Sequence, residues 1–184
     1  MKRRIETPLT REDINNLKAG DMIELSGVIY TARDAAHKKL LELISSGENL
    51  PFDIENQVIY YVGPCPSSED RVIGSAGPTT SGRMDLYAPK LIEMGLTGMI
   101  GKGQRDKEVI DAMVKHGAVY FGAVGGAGAL ISKSIKSQQV IAFEELGTEA
   151  IRKISVVDFP AIVVIDRYGN NLYDIGREKY AAKG

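Results

Sequence analysis

TGMIGKGQRDKEVIDAMVKHGAVYFGAV, residues Thr97 to Val124, is the stretch on which the fold is decided. TGMIGKG (97–103) reads as a strand. DKEVIDAMVKHG (106–117) has helical character and ends at Gly117, a residue suited to stopping a helix. AVYFGAV (118–124) is again a strand. The order strand, helix, strand continues on both sides. Upstream, DMIELSGVIYTA (21–32) is rich in Ile and Val, with apolar residues partly alternating, and predicts a strand. RDAAHKKLLELISSG (33–47) follows with helical spacing and a stop at Gly47. QVIYYVG (57–63) is a second strand and runs into a polar loop. PKLIEMG (89–95) is a short helix with Pro89 near its start, where a missing N–H costs little. Downstream come a glycine-rich turn, a helix at ALISKSI (129–135), and strands at QQVIAF (138–143), IRKISVV (151–157) and AIVVID (161–166). DRYGNNLYD (166–174) predicts a hairpin-like turn around Gly169-Asn170. No repeat, low-complexity tract or long linker divides the chain. The expectation is one α/β domain over residues 1–184, with a largely parallel or mixed sheet flanked by helices.

Bulk properties exclude several classes of function. The 184 residues are 43% hydrophobic and 26% charged, and 23 basic against 24 acidic residues give a net charge of -1. A large nucleic-acid footprint needs a basic surface, so no nucleic-acid partner is expected. No apolar run approaches the roughly 20 residues of a membrane span. MKRRIETP at the start has no apolar core of a secretory signal. One cysteine, Cys65, forbids an intrachain disulfide. It also forbids an iron–sulfur cluster or zinc site made from this chain's thiolates alone. A reducing cytoplasm is the expected compartment.

Ligands of open α/β sheets bind at the carboxyl ends of strands. Three stretches fall there. In SAGPTTSGRMD (75–85), Gly77, Pro78 and Gly82 let the backbone bend and expose N–H groups. Thr79, Thr80 and Ser81 add hydroxyls, and Arg83 lies in the first turn of a following helix. Together they suit a carboxylate or phosphate. The plainer alternative makes Ser81 a helix cap and pairs Arg83 with Asp85. In TARDAAH (31–37), Arg33 begins the first long helix, with Thr31 as its expected cap, and His37 lies one turn on along the same face. That gives a second anion clamp supported by His37, or an exposed Arg33–Asp34 surface with a packed histidine. In GKG (101–103), Gly101 and Gly103 leave Lys102 free to close on an anion; a solvated loop lysine is the alternative.

Other stretches carry less. GAVGGAGAL (122–130), read from Gly126, would need Gly or Ala at the position of Ile131 to be a dinucleotide fingerprint. Backbone packing at a sheet edge is the expected use of Gly125, Gly126 and Gly128. Leu96 and Gly103 break the P-loop pattern around Gly101-Lys102. Cys65 in GPCP has no partnered histidine to activate it. His116, just before Gly117, is a favourable cation at a helix C-terminus.

SAGPTTSGRMD, TARDAAH, GKG, YFGAVGGAGAL and VVDFPAIVVIDRYGNNLYD occur in an order that resembles the C-terminal, or beta, part of the class I iron–sulfur hydro-lyases. Fumarate hydratase and L(+)-tartrate dehydratase belong to that family. The resemblance runs along essentially the whole chain. It implies a swivelling β/β/α domain and the beta subunit of a hetero-oligomer. The partner alpha subunit would carry three cysteines and a [4Fe–4S] cluster whose open iron acts as Lewis acid. No metal would be bound by this chain. The implied reaction is reversible hydration of fumarate to malate, with L(+)-tartrate dehydration as the alternative. Matched motif by motif, the resemblance implies that Thr79 is the catalytic threonine. It likewise implies that Arg33, Arg83 and Lys102 hold the substrate carboxylates and that His37, Thr80 and Gly101 support them. Two readings of other classes, a phosphate- or nucleotide-binding module and a non-catalytic scaffold, have the broken fingerprints and the intact cationic set against them.

Overall fold

The computed structural model describes residues 3–65, 72–123 and 128–181. Strand β1 (Arg3–Thr7) leads to helix α1 (Arg11–Asn16), then β2 (Met22–Thr31), α2 (Asp34–Ser46) and β3 (Val58–Tyr60). A single 3-10 turn (Ser81–Met84) precedes α3 (Ala88–Glu93), β4 (Gly98–Gly101), α4 (Lys107–His116) and β5 (Val119–Ala123). The chain continues through α5 (Gly128–Ser134), β6 (Ile135–Ala142), a second 3-10 segment (Glu144–Glu149), β7 (Ile151–Ile165) and α6 (Leu172–Ala181). This is a mixed α/β domain built on a seven-stranded sheet. Among the described residues no helix is long and apolar enough to cross a membrane.

β1 to β5 run parallel in sequence order, and β7 is antiparallel to β2, β5 and β6. Because β7 bonds both β5 and β2, strands β2, β3, β4, β5 and β7 form a closed ring, with β1 and β6 extending it at either side. Side chains alternate across each strand and feed two apolar cores. Val58 and Tyr60 of β3, Ile100 of β4 and Val119 and Phe121 of β5 face one core, together with Ile14 of α1. Ile59, Met99 and Tyr120 of the same strands face the other, against Ala36 and Leu40 of α2, Leu91 of α3 and Met113 of α4. Burial on both faces explains why these strands read as short apolar runs.

The strand–helix–strand reading of residues 97–124 holds through Ala123. Gly47 and Gly117 close α2 and α4 in the left-handed region, at φ 73° and 82°. Pro89 lies in the first turn of α3. Several boundaries differ from expectation. IRKISVV and AIVVID are one 15-residue strand, β7, not two. Pro160 does not end it, and at Asp158 (φ 52°) the strand bulges opposite Ser26, whose Oγ accepts the Asp158 N–H at 3.0 Å. β6 begins at Ile135, three residues before QQVIAF. The turn at Gly169 (φ 83°) is present, but helix α6 follows it directly. Asp166 builds that turn by accepting from the N–H groups of Tyr168 and Asn170. Thr31 does not cap α2: its Oγ1 accepts from the Arg152 N–H of β7, and the cap position is Arg33 with no side-chain bond. Gly128 opens α5 instead of packing at a sheet edge; Gly125 and Gly126 lie outside the described residues.

Candidate active site

The carboxyl ends of β2, β3 and β4 are tied side by side beyond their strands. The Ala32 N–H donates to the Tyr60 carbonyl at 3.2 Å, and the Tyr61 N–H to Ile100 at 2.8 Å. The polar loop joins this row. Its Thr79 N–H donates to the Tyr61 carbonyl at 2.8 Å and its Ser81 N–H to the Lys102 carbonyl at 2.9 Å, with a parallel bridge between Thr80 and Lys102. The three stretches singled out in sequence therefore meet at one edge. Gly101 is needed there, because a Cβ at that position would lie 1.9 Å from Ser81 Oγ and 3.0 Å from the Tyr61 ring. Gly103 takes φ 88° and turns the chain back after Lys102.

Arg83 and Lys102 are exposed, and among the described residues neither side chain has a hydrogen-bond or ion-pair partner. Arg83 does not pair with Asp85, which belongs to Arg105. Nor is Ser81 a cap: it is the first residue of the 3-10 turn, buried, with its Oγ 2.8 Å from the Tyr120 hydroxyl. Thr79 is half-buried and Thr80 exposed.

Arg33 is held differently. Its Nε lies 3.0 Å from Glu149 Oε1 and 3.8 Å from Asp34 Oδ1. The side chain runs against Gly63, where a Cβ would meet Nη1 at 2.8 Å, so glycine makes room for the guanidinium. His37 is fully buried, one turn along α2. Its Nδ1–H donates to the Arg33 carbonyl at 2.8 Å, and its ring packs edge-on to Tyr61 at 5.3 Å. Nε2 has no partner among the described residues. Burial lowers the His37 pKa to about 4, with nearby Arg105 adding to the effect and the bond to Arg33 and the charge of Asp34 opposing it. The imidazole is thus neutral at pH 7, and it supports Arg33 from behind instead of lining the surface.

Beneath the loops lies a group of residues that sequence reading does not find. Arg105 has a fully buried side chain whose Nε donates to Asp85 Oδ1 at 2.6 Å, while Asp85 Oδ2 accepts from the Asp106 N–H at 2.7 Å. Burial alone would lower the Arg105 pKa, but Tyr61 and Asp85 outweigh it and raise it. Its guanidinium carbon sits 5.3 Å from the Tyr61 ring and 5.0 Å from the Tyr120 ring. Burial raises the pKa of both tyrosines, so their hydroxyls stay protonated. One sequence signal does exist: a tyrosine in a strand buried on both faces must find a partner for its hydroxyl. The identity of that partner is not written in the strand.

Fold and edge together define a class: an α/β domain that gathers cationic side chains and hydroxyls at the carboxyl ends of parallel strands. Comparison with known proteins is narrower. Residues 2–176 match the family described as Fumarase C-terminus. A Methanocaldococcus jannaschii protein named putative L(+)-tartrate dehydratase subunit beta is 39% identical over 181 residues, 95% of this chain and 93% of that protein. Fumarate hydratase class I, aerobic, of Escherichia coli is 45% identical over 153 residues, 82% of this chain and 28% of that protein. Fumarate hydratase 2 of Leishmania major is 43% identical over 165 residues, 89% of this chain and 29% of that protein. The chain belongs to the fumarase C-terminal family, a family of hydro-lyases. It spans less than a third of the length of the fumarate hydratases it matches.

Proposed function

We propose that this chain is the beta part of a hydro-lyase that hydrates fumarate to malate reversibly, in a site shared with an alpha part. The observation that carries the reading is the convergence of Thr79, Arg83 and Lys102 on one strand edge, with both cations free of described partners. A four-carbon dicarboxylate needs at least two cationic holds, and an arginine fork fixes a carboxylate in two dimensions. Arg83 and Lys102 serve one carboxylate each or share one with Arg33. Glu149 is ion-paired at the Nε of Arg33, and in this reading the outer nitrogens take the carboxylate. With both carboxylates fixed, the reacting C–H and C–O bonds are oriented before chemistry begins. The Thr79 hydroxyl stands at the reacting carbon. It is a weak base alone, so it passes or stabilises the proton together with a group from the alpha part.

The [4Fe–4S] cluster is assigned to the alpha part. The present residues do not fit it: the chain has one cysteine, and among the described residues no three His, Cys, Asp or Glu side chains are grouped to hold a metal ion. The proposed assembly is a hetero-oligomer of alpha and beta parts in the cytoplasm, and the relative named as a subunit beta supports the subunit arrangement. The same relative favours L(+)-tartrate as the second substrate reading.

The test is turnover of fumarate, malate and L(+)-tartrate by the chain assembled anaerobically with its alpha part. Arg83→Lys keeps the charge and loses the fork, so the preferred reaction is expected to slow at least about tenfold, which is about 1.4 kcal/mol of transition-state stabilisation. Unaltered kinetics in that variant would return Arg83 to the role of a surface residue.

A further inference from the structure

Tyr120 is fully buried in the middle of β5, among apolar neighbours, yet its hydroxyl touches two loops of the candidate site. It donates to the Gly103 carbonyl at 3.0 Å. With its one proton committed there, it accepts from Ser81 Oγ at 2.8 Å. Ser81 follows Thr79 and Thr80, and Gly103 follows Lys102. A single oxygen therefore clips the threonine loop to the lysine loop. The far end of the threonine loop is fixed by a second buried device, since Asp85 directly follows the 3-10 turn of Arg83 and is bound to Arg105. Arg105 in turn packs on the Tyr120 and Tyr61 rings, and Tyr61 gives its carbonyl to the Thr79 N–H.

Stability alone does not call for these groups. A buried ion pair loses its hydration, and an apolar pair of similar volume often folds as well or better. A phenylalanine would fill the Tyr120 site without needing partners. What the polar set adds is direction, because each bond fixes one backbone or side-chain atom of a loop whose other ties near Thr79 are the backbone bonds of Thr79 to Tyr61 and of Ser81 to Lys102. We propose that Tyr120 is a positioning residue. Its hydroxyl keeps the loop of Thr79 and Arg83 in register with the loop of Lys102, while Arg105 and Asp85 anchor the first loop's far end. The kinetic part of this inference rests on the hydro-lyase reading; the structural part does not.

The experiment is Tyr120→Phe, read by amide hydrogen exchange of the chain and by steady-state kinetics with the alpha part. Exchange at Thr79 and Ser81 is expected to rise at least about tenfold, while amides bonded between β2 and β7 keep their wild-type rates. The kcat is expected to fall at least about tenfold, because small misplacements of reacting groups cost that much or more. Ser81→Ala removes the same bond from the other side and keeps the test open should Tyr120→Phe fold poorly. The double variant is expected to be no worse than the more affected single one. Ile14→Val, in the core away from this edge, is expected to leave kcat alone. Unchanged exchange at Thr79 and Ser81 overturns the inference, as does a uniform rise that includes the β2–β7 amides. Freed loops with a normal kcat overturn it too. Freed loops in a protein whose wild type hydrates nothing would end the hydro-lyase reading and leave the positioning role standing.

Discussion

Thr79 and Thr80 are neighbours in sequence with different surroundings: the first is half-buried and bonded through its N–H to Tyr61, the second exposed and bridged to Lys102. Valine at each position removes one hydroxyl and keeps the shape. Thr79→Val is expected to lower kcat and kcat/KM together, the mark of an interaction made in the transition state, and Thr80→Val to change both little. The reverse pattern would mean that the reacting hydroxyl belongs to Thr80. His37 yields a prediction about pH. Its folded pKa, about 4, lies below the ordinary 6.5, so the unfolded chain takes up a proton that the folded chain refuses. The stability it contributes is complete above pH 6.5 and is lost as pH falls from there to about 4, up to about 3 kcal/mol in all. Chemical denaturation at pH 7 and pH 5 is expected to show a smaller difference for His37→Gln than for the wild type. Of these residues, Thr79, Arg83, Lys102 and Arg33 are legible in sequence because chemistry-bearing side chains sit where strands end. His37 is legible only as a position on a helix face. Its burial depends on Tyr61 and Tyr87, which arrive from elsewhere in the chain.

The strand–helix–strand elements are legible from the run of apolar residues and their glycine stops; the structure keeps their order and trims their ends, most at β3, which spans Val58–Tyr60 of the 57–63 expected, while β1 and α1 carry no such signal. β7 is not. A proline and an aspartate in its middle read as a break, yet Pro160 is accommodated in the ladder and Asp158 forms a bulge where β2 also shifts register, between Leu25 and Gly27. A bulge depends on its partner strand, and no single stretch of sequence contains both. The same dependence makes Gly101 informative. Nothing local demands glycine at the end of β4, whose backbone there is not in the left-handed region; Ser81 does, from another element. Gly101→Ala is expected to destabilise the fold by about 1–3 kcal/mol through overpacking. It should also push the threonine loop off the strand edge, so that kcat/KM falls more than thermal stability would suggest. A variant that melts earlier but turns over normally would argue that the loop need not rest on that glycine.

As a whole molecule the chain has two complete cores and a closed ring of strands, so it is expected to fold by itself. It is also expected to be catalytically silent alone, because half of the site is assigned to another part. Circular dichroism and anaerobic turnover of the isolated chain check both statements; substantial hydration activity without an alpha part would sink the shared-site reading. The ring itself is not legible in sequence, since closure depends on one long strand reaching two distant ones. That closure has a consequence for synthesis. Met22 of β2 pairs with Ile162 of β7, and β3, β4 and β5 all lie between them along the chain. At about 5–20 residues per second, a ribosome needs roughly 6–24 seconds to make the ~120 residues separating the two strands. Any parallel strands that form in that interval leave the seam unsealed, with the β7 side of β2 bare. Until β7 leaves the exit tunnel, that edge is open to pairing with any other strand it meets.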